Sequence, residues 1–171
     1  MSSTSKVLFL CVLSMAPAAV FAQDKPAKAP AQDPSTYMKV HAPFAEDLVN
    51  KVKAAHNDEI VKLGIHAVPP GEKDNVIIAN ITPSKIGKKS SDNDMKNLAT
   101  GNPVAKKLDK DKTFDLLIPL KDAKGRDLEG GFVVMEVPFT KASNEDEAIK
   151  IGVAIRDDLQ KQIPSKKALY Q

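Results

Sequence analysis

The residues of this chain best suited to bind a metal or to move a proton are its three histidines, His41, His56 and His66. They are separated by 15 and 10 residues, so no two of them lie one turn apart on a helix, as histidines of a helical zinc site do. The only cysteine, Cys11, lies in an apolar N-terminal stretch. We therefore expect no metal and no cofactor. His66, just before a Pro-Pro turn, either lines a binding site or is a buried structural residue.

The motifs of common hydrolases are missing from the sequence. It contains neither G-x-S-x-G nor H-E-x-x-H, and Thr82 stands where a phosphate loop ending at Gly87 would need its first glycine. We expect a protein that is not an enzyme, with a hydrolase that uses an unrecognised acid and base as an alternative. The lysines at 85, 88 and 89 either favour an anionic solute or form a solvated face.

Charge and composition argue against a nucleic-acid partner. The 171 residues carry 25 basic and 22 acidic side chains, and only Arg126 and Arg156 among the basic ones are arginines. Because arginine is the side chain that binds phosphates and base edges in a bidentate way, little of that chemistry is present.

The N-terminus has the pattern of a secretory leader. Lys6 is followed by the uncharged stretch 7–22, which ends in Val-Phe-Ala. We predict a signal peptide over 1–22, a flexible Pro/Ala-rich spacer over 23–34 and a single domain over 35–171, located in the periplasm or secreted. No later segment is apolar enough to span a membrane once the leader is cleaved.

Apolar periodicity predicts helices near both ends of the domain. Phe44 to Ala55 repeats at three and four residues. Residues 59–63, ended by Gly64, either continue this helix after a break or form a second helix in series. A C-terminal helix is predicted from a Ser143 cap to Pro164.

The middle of the chain predicts strands. The stretches 75–81 and 128–139 are apolar on both faces, typical of covered strands, whereas 113–120 alternates and places Phe114 and Leu116 on one face. A charged edge strand is predicted over 104–110, and 82–103 is a long excursion expected to cover part of the sheet. The fold class is α+β: a mostly antiparallel sheet of about five strands with N-terminal and C-terminal helices packed on it.

The order of short motifs over roughly 56–139 resembles the Cache (PDC, PAS-like) family of extracytoplasmic sensor domains. These motifs are VIIAN, Ile86-Gly87-Lys88, Thr100-Gly101, the PL-x-D-x-x-G turn and GGFVVMEVPF. The resemblance implies a pocket for a small organic solute between the sheet and the excursion. The chain departs from the family in having no retained membrane helix and no signalling domain. It also lacks an arginine and aromatic cluster, which argues against amino acids as ligands.

The leading hypothesis is therefore a secreted, sensor-like domain that binds a small, anionic solute without catalysis. Its expected contacts are His66, Lys88, Lys89, Phe114 and Leu116. The alternative is a ligand-free interaction or structural module with a protein partner, its cavity filled by Met95, Phe114 and Phe132.

Overall fold

The computed structural model describes residues 32–171. The predicted leader and most of the predicted spacer lie outside this range. The remaining spacer residues are ordered: Asp33 caps a 3-10 turn at Pro34–Thr36, and the Gln32 side chain bonds the backbone of Lys89. The expectation of a spacer without structure up to residue 34 is therefore wrong for its last residues, because their polar groups find partners.

The described chain folds as an α+β domain, as predicted. Its elements follow in the order α1 (Pro43–Ala55), β1 (Lys62–Ala67), β2 (Val76–Asn80), α2 (Asp92–Leu98), β3 (Val104–Leu108), β4 (Thr113–Lys121), β5 (Asp127–Pro138) and α3 (Glu145–Lys161). The five strands form one antiparallel sheet in the order β2-β1-β5-β4-β3. The glycine-containing strand β5 is thus the central strand, and the charged strand β3 is an edge.

Helices α1 and α3 cover one face of this sheet, which we call the helix face. Helix α1 buries Leu48, Val49 and Val52, and α3 buries Ile155 and Leu159, in a core shared with alternate residues of the strands. In β4 the residues turned to this face are Phe114, Leu116, Ile118 and Leu120. Burial of these apolar side chains is the main stabilising contribution to the fold.

The helical prediction over 59–63 is wrong, because Glu59 to Val61 form the connection after α1, and Lys62 and Leu63 begin strand β1. Leu63 and Ile65 alternate onto the helix face, and β1 pairs with both β2 and β5. Gly64 lies within this strand instead of ending a helix, and a Cβ at this position would overlap the side chain of Asn80, its partner in β2. Five residues of helical periodicity are too few to outweigh two ladders of strand hydrogen bonds.

The excursion, residues 82–103, is fastened to the outer edge of β2. Gly87 N donates to Ile77 O at 2.8 Å, Ile77 N to Lys88 O at 2.9 Å, and Ser90 N to Asn75 O at 2.9 Å. Its helix α2 begins with the predicted capping box of Ser91 and Asp94. At α3 the cap is Asn144, one residue beyond the predicted Ser143, whose side chain and amide instead bond Glu147.

Candidate functional site

The second face of the sheet, which we call the open face, forms a cleft with the excursion. This cleft has a volume of about 230 Å³. Lys62 and His66 of β1, Asp115 of β4 and Glu136 of β5 supply its polar floor. The roof comes from the excursion, which contributes Lys85, Lys88 and Asp94.

A row of charged side chains crosses four strands at one end of the floor. The strand register sets Lys62 opposite Glu136, Glu136 opposite Asp115, and Asp115 opposite Lys106, so all four lie on the open face. Lys62 Nζ donates to Glu136 Oε1 at 2.6 Å, and Thr113 Oγ1 donates to Glu136 Oε2 at 3.2 Å. That hydrogen bond to Glu136 raises the pKa of Lys62. Glu136 is thereby satisfied within the protein.

Asp115 is the member of this charged row that is both partly buried and without a partner among residues 32–171, whereas Lys106 is exposed to water. Its carboxylate makes no hydrogen bond or ion pair with residues 32–171, although the residue is only partly exposed. Burial raises the pKa of Asp115 to about 6, and the negative charges of Glu136 and Asp94 add to this effect. Asp115 can therefore accept a hydrogen bond as a carboxylate at neutral pH or take up a proton in mild acid.

His66 lies further into the cleft, with 6% of its surface exposed. Its ring stacks on Phe132 with centroids 4.3 Å apart, and Nδ1 is 2.8 Å from Ser90 Oγ. Burial lowers the pKa of His66 to about 4, so the imidazole is neutral at physiological pH. A neutral ring held on two sides is a preorganised hydrogen-bonding group.

The roof of the cleft carries both signs of charge. Lys85 and Lys88 come from the loop before α2, and Asp94 comes from the first turn of that helix. Lys88 is half-buried and pairs with no carboxylate among the described residues. Together with the floor, the cleft presents three lysines and three carboxylates.

The structure brings together two of the five expected contact residues. His66 and Lys88 line the cleft, whereas Lys89 points away and pairs with Asp74 at 2.8 Å. Phe114 and Leu116 lie on the helix face, where Leu116 is placed against α3. The alternation of β4 correctly groups these two side chains, but alternation alone does not tell which face meets the helices.

The side chains invoked for a self-filled cavity do not meet in the cleft. Met95 is 36% exposed on α2, Phe114 is on the helix face beside Phe139, and Phe132 alone lies beneath His66. The described residues therefore leave the space between the charged row and the roof open.

Sequence reasoning missed Lys62, Asp94, Asp115 and Glu136. The available signal was a carboxylate inside each of two otherwise apolar strands, at 115 and 136. A charge in a covered strand requires a partner or a polar cleft, because burying it alone is costly. Their meeting with Lys62 depends on the strand order, which local periodicity does not contain.

Residues 32–171 contain no group of three or more His, Cys, Asp or Glu side chains arranged to hold a metal ion. Among the helices of this same range, none has both the length and the apolar character needed to cross a membrane.

Comparison with models of known protein families gives no match, and comparison with curated protein sequences gives none either. The resemblance to Cache domains therefore stays a prediction from the motif order.

Proposed function

We propose that this domain is a non-catalytic receptor for a small polar solute, held in the cleft between the open face and the excursion. Three polar groups in this cleft lack partners among residues 32–171, and they support the proposal. They are the imidazole Nε2 of His66, the carboxylate of Asp115 and the ammonium group of Lys88. Buried or half-buried polar groups usually have partners, so a solute that supplies them gains affinity and orientation.

The charge of the cleft defines the kind of solute. A plain polyanion is disfavoured because Asp94, Asp115 and Glu136 balance Lys62, Lys85 and Lys88. An anionic group facing Lys88 on the roof is favourable, provided that the rest of the solute satisfies the acceptors on the floor. The sequence predicts an anionic solute, and the balanced charges of the cleft restrict this class to anions that also carry polar groups.

The hydrogen bonds around Ser90 support binding over catalysis. Ser90 Oγ lies near His66 Nδ1, as a serine nucleophile lies near its base, but it donates its proton to Asn75 Oδ1 at 2.7 Å. A hydroxyl whose proton is held by an amide oxygen is not activated by the imidazole. We thus propose a receptor in the periplasm or in the secreted fraction, in keeping with the leader-like N-terminus.

The proposal is tested by a thermal-shift screen of the purified domain against small carboxylates, amino acids, amines and sugars. A solute at ~100 times its Kd adds about 2.7 kcal/mol to the free energy of unfolding and raises Tm by several degrees. Lys88→Ala should raise at least tenfold the concentration of an acidic solute that is needed to produce the same increase in Tm. Lys89→Ala is the matched control, because it removes the same charge from the neighbouring residue outside the cleft.

Absence of a shift with every solute would refute the receptor role. Equal effects of the Lys88 and Lys89 substitutions on a bound acid would place the binding site elsewhere.

A further inference from the structure

The direction of three hydrogen bonds determines which nitrogen of His66 carries the proton. The carbonyl oxygen of Gly130 can only accept, so the amide nitrogen Nδ2 of Asn75, 2.7 Å away, donates to it. Oδ1 of Asn75 then faces Ser90 and accepts the hydroxyl proton at 2.7 Å. Because Ser90 has a single hydroxyl proton, the 2.8 Å contact with His66 requires Nδ1 of the imidazole to be the donor.

The remaining nitrogen, Nε2, is therefore an acceptor. It has no hydrogen-bond partner among residues 32–171, and no fully buried side-chain nitrogen or oxygen in this range lacks a partner. Nε2 must then keep contact with the space that His66 lines, which is the cleft. The ring cannot turn to offer its Nδ1–H without breaking the bond to Ser90 and the stacking on Phe132.

Burial keeps the ring in this form, because it lowers the pKa of His66 to about 4. The negative charge of Asp94 acts against this effect, and the positive charge of Lys88 adds a smaller lowering. Nε2 therefore remains an acceptor over the whole neutral range, unlike an exposed histidine, which becomes a donor in mild acid.

We propose that His66 is a specificity-determining residue, whose Nε2 selects solutes that carry an O–H or N–H donor close to the acidic group that faces Lys88. This inference rests on the proposed function and assigns the solute class: short carboxylic acids with a hydroxyl or an ammonium group beside the carboxylate. Asp94, whose negative charge acts on the His66 ring, distinguishes the two donors. An ammonium group gains from the negative charge of Asp94, whereas a hydroxyl needs only an acceptor.

A carboxylic acid without such a donor should bind poorly. It would contact Lys88 equally well but would cover Nε2 without offering it a hydrogen-bond donor. An unsatisfied buried acceptor costs enough to weaken binding by roughly tenfold to a hundredfold. The chain lacks an arginine and aromatic cluster, but amino acids stay within this solute class because Lys88 and Asp94 offer an opposite charge to the carboxylate and to the ammonium group, respectively.

The tautomer is tested first, on the protein without any solute. Long-range proton–nitrogen NMR spectra distinguish a protonated from an unprotonated ring nitrogen. We expect Nδ1 of His66 to be protonated and Nε2 to be bare from pH 5.5 to 7.5. A protonated Nε2 in this range would overturn the inference while leaving the receptor role intact.

The selectivity is tested with three acids of the same carbon skeleton: propionate without a donor, lactate with a hydroxyl and alanine with an ammonium group. Lactate or alanine should bind at least tenfold more tightly than propionate, measured by calorimetry or by shifts of the His66 ring signals. Asp94→Asn, whose amide oxygen can still accept from the Ser91 amide, should weaken alanine and spare lactate, which identifies the donor. Equal affinities for all three acids, or no measurable binding of any, would overturn the inference, whereas the solute screen separately decides the receptor role.

Two substitutions separate recognition from structure. His66→Gln can place its amide oxygen near the position of Nε2, and His66→Asn can place its amide nitrogen near that of Nδ1. The glutamine variant should retain part of the preference over propionate, and the asparagine variant should lose it while keeping the bond to Ser90. A purely structural role would weaken all three acids by the same factor in each variant.

Discussion

Two residues of the cleft, His66 and Asp115, depart in opposite directions from the pKa values of exposed groups for the same physical reason. Burial favours the neutral form of each, which lowers the pKa of His66 from 6.5 to about 4 and raises that of Asp115 from 3.8 to about 6. Between about pH 4 and pH 6 the histidine binds a proton more readily in the unfolded chain than in the folded protein. Over the same interval the aspartate binds a proton more readily in the folded protein than in the unfolded chain. Their contributions to pH dependence therefore have opposite signs.

Substitutions of His66 and Asp115 should change the pH dependence of the free energy of unfolding in opposite directions. As pH falls from 6.5 towards 4, wild type loses stability through His66, because the unfolded chain takes up the proton more readily. The free energy of unfolding of His66→Asn should therefore rise relative to that of wild type by about 1–3 kcal/mol between pH 7 and pH 5. As pH falls from above 6 towards 4, wild type gains stability through Asp115, because the folded protein takes up the proton more readily. The free energy of unfolding of Asp115→Asn should therefore fall relative to that of wild type by about 1 kcal/mol between pH 7 and pH 5.

Urea unfolding at pH 7, 6 and 5 measures both differences. Asp111→Asn, an exposed acid in the turn between β3 and β4, is the control and should change the free energy of unfolding by less than about 0.5 kcal/mol. Slopes of the same sign for the two cleft variants would show that burial does not govern both groups.

At the residue scale the sequence predicts only part of the candidate site. His66 and Lys88 follow from their positions beside the Pro-Pro turn and within the excursion. Asp115 and Glu136 do not, since only the pairing of β4 with β5 brings their carboxylates side by side. Phe114 and Leu116 are correctly grouped, but they lie beneath α3 because the helices occupy that face.

At the scale of elements, the excursion is the part of the chain that turns a flat sheet face into a cleft. Its fixed point is Gly87, which has a φ of 84° and whose backbone bonds both Ile77 and Met38. A Cβ at this position would overlap the carbonyl oxygen of Met38. The excursion, β2 and the segment before α1 are thus joined at one residue.

Gly87→Ala should therefore cost about 3 kcal/mol or more, from the left-handed backbone and the overlap together. Gly101→Ala is the matched control in the same excursion. Its φ is 71°, but nothing lies within 4 Å of the added Cβ, so only the backbone cost of about 1–2 kcal/mol applies. The free energy of unfolding and the exchange rates of the amides at 85–90 measure the difference. Equal costs would mean that the excursion is not fastened at Gly87.

The elements themselves are largely predictable from the sequence, with one exception. Long periodic stretches such as 44–55 and 113–120, and the capping box at Ser91, appear in the structure close to their predicted bounds. Strand β1 is not predictable from local periodicity, because the helical pattern over 59–63 is short and overlaps only its first two residues, and its strand character comes from pairing with β2 and β5. Tertiary pairing decides such short segments.

At the scale of the whole molecule, the two faces of the sheet have different tasks. The helix face is apolar and packed, and it supplies the stability of a described domain whose residues include no cysteine. The open face carries the row of Lys62, Glu136, Asp115 and Lys106, which would be unfavourable in a core. A sheet stabilised from one side can keep charged groups on the other, and the excursion partly shields them from water.

Binding of a solute in the cleft under the excursion is tested by mapping amide chemical shifts while the solute panel is added. We expect a binding solute to change the signals of His66, Lys88, Asp94 and Asp115, and to leave those at the surface groove around Tyr170 unchanged. Shifts confined to that groove or to the outer surfaces of α1 and α3, or a spectrum that no solute changes, would contradict it.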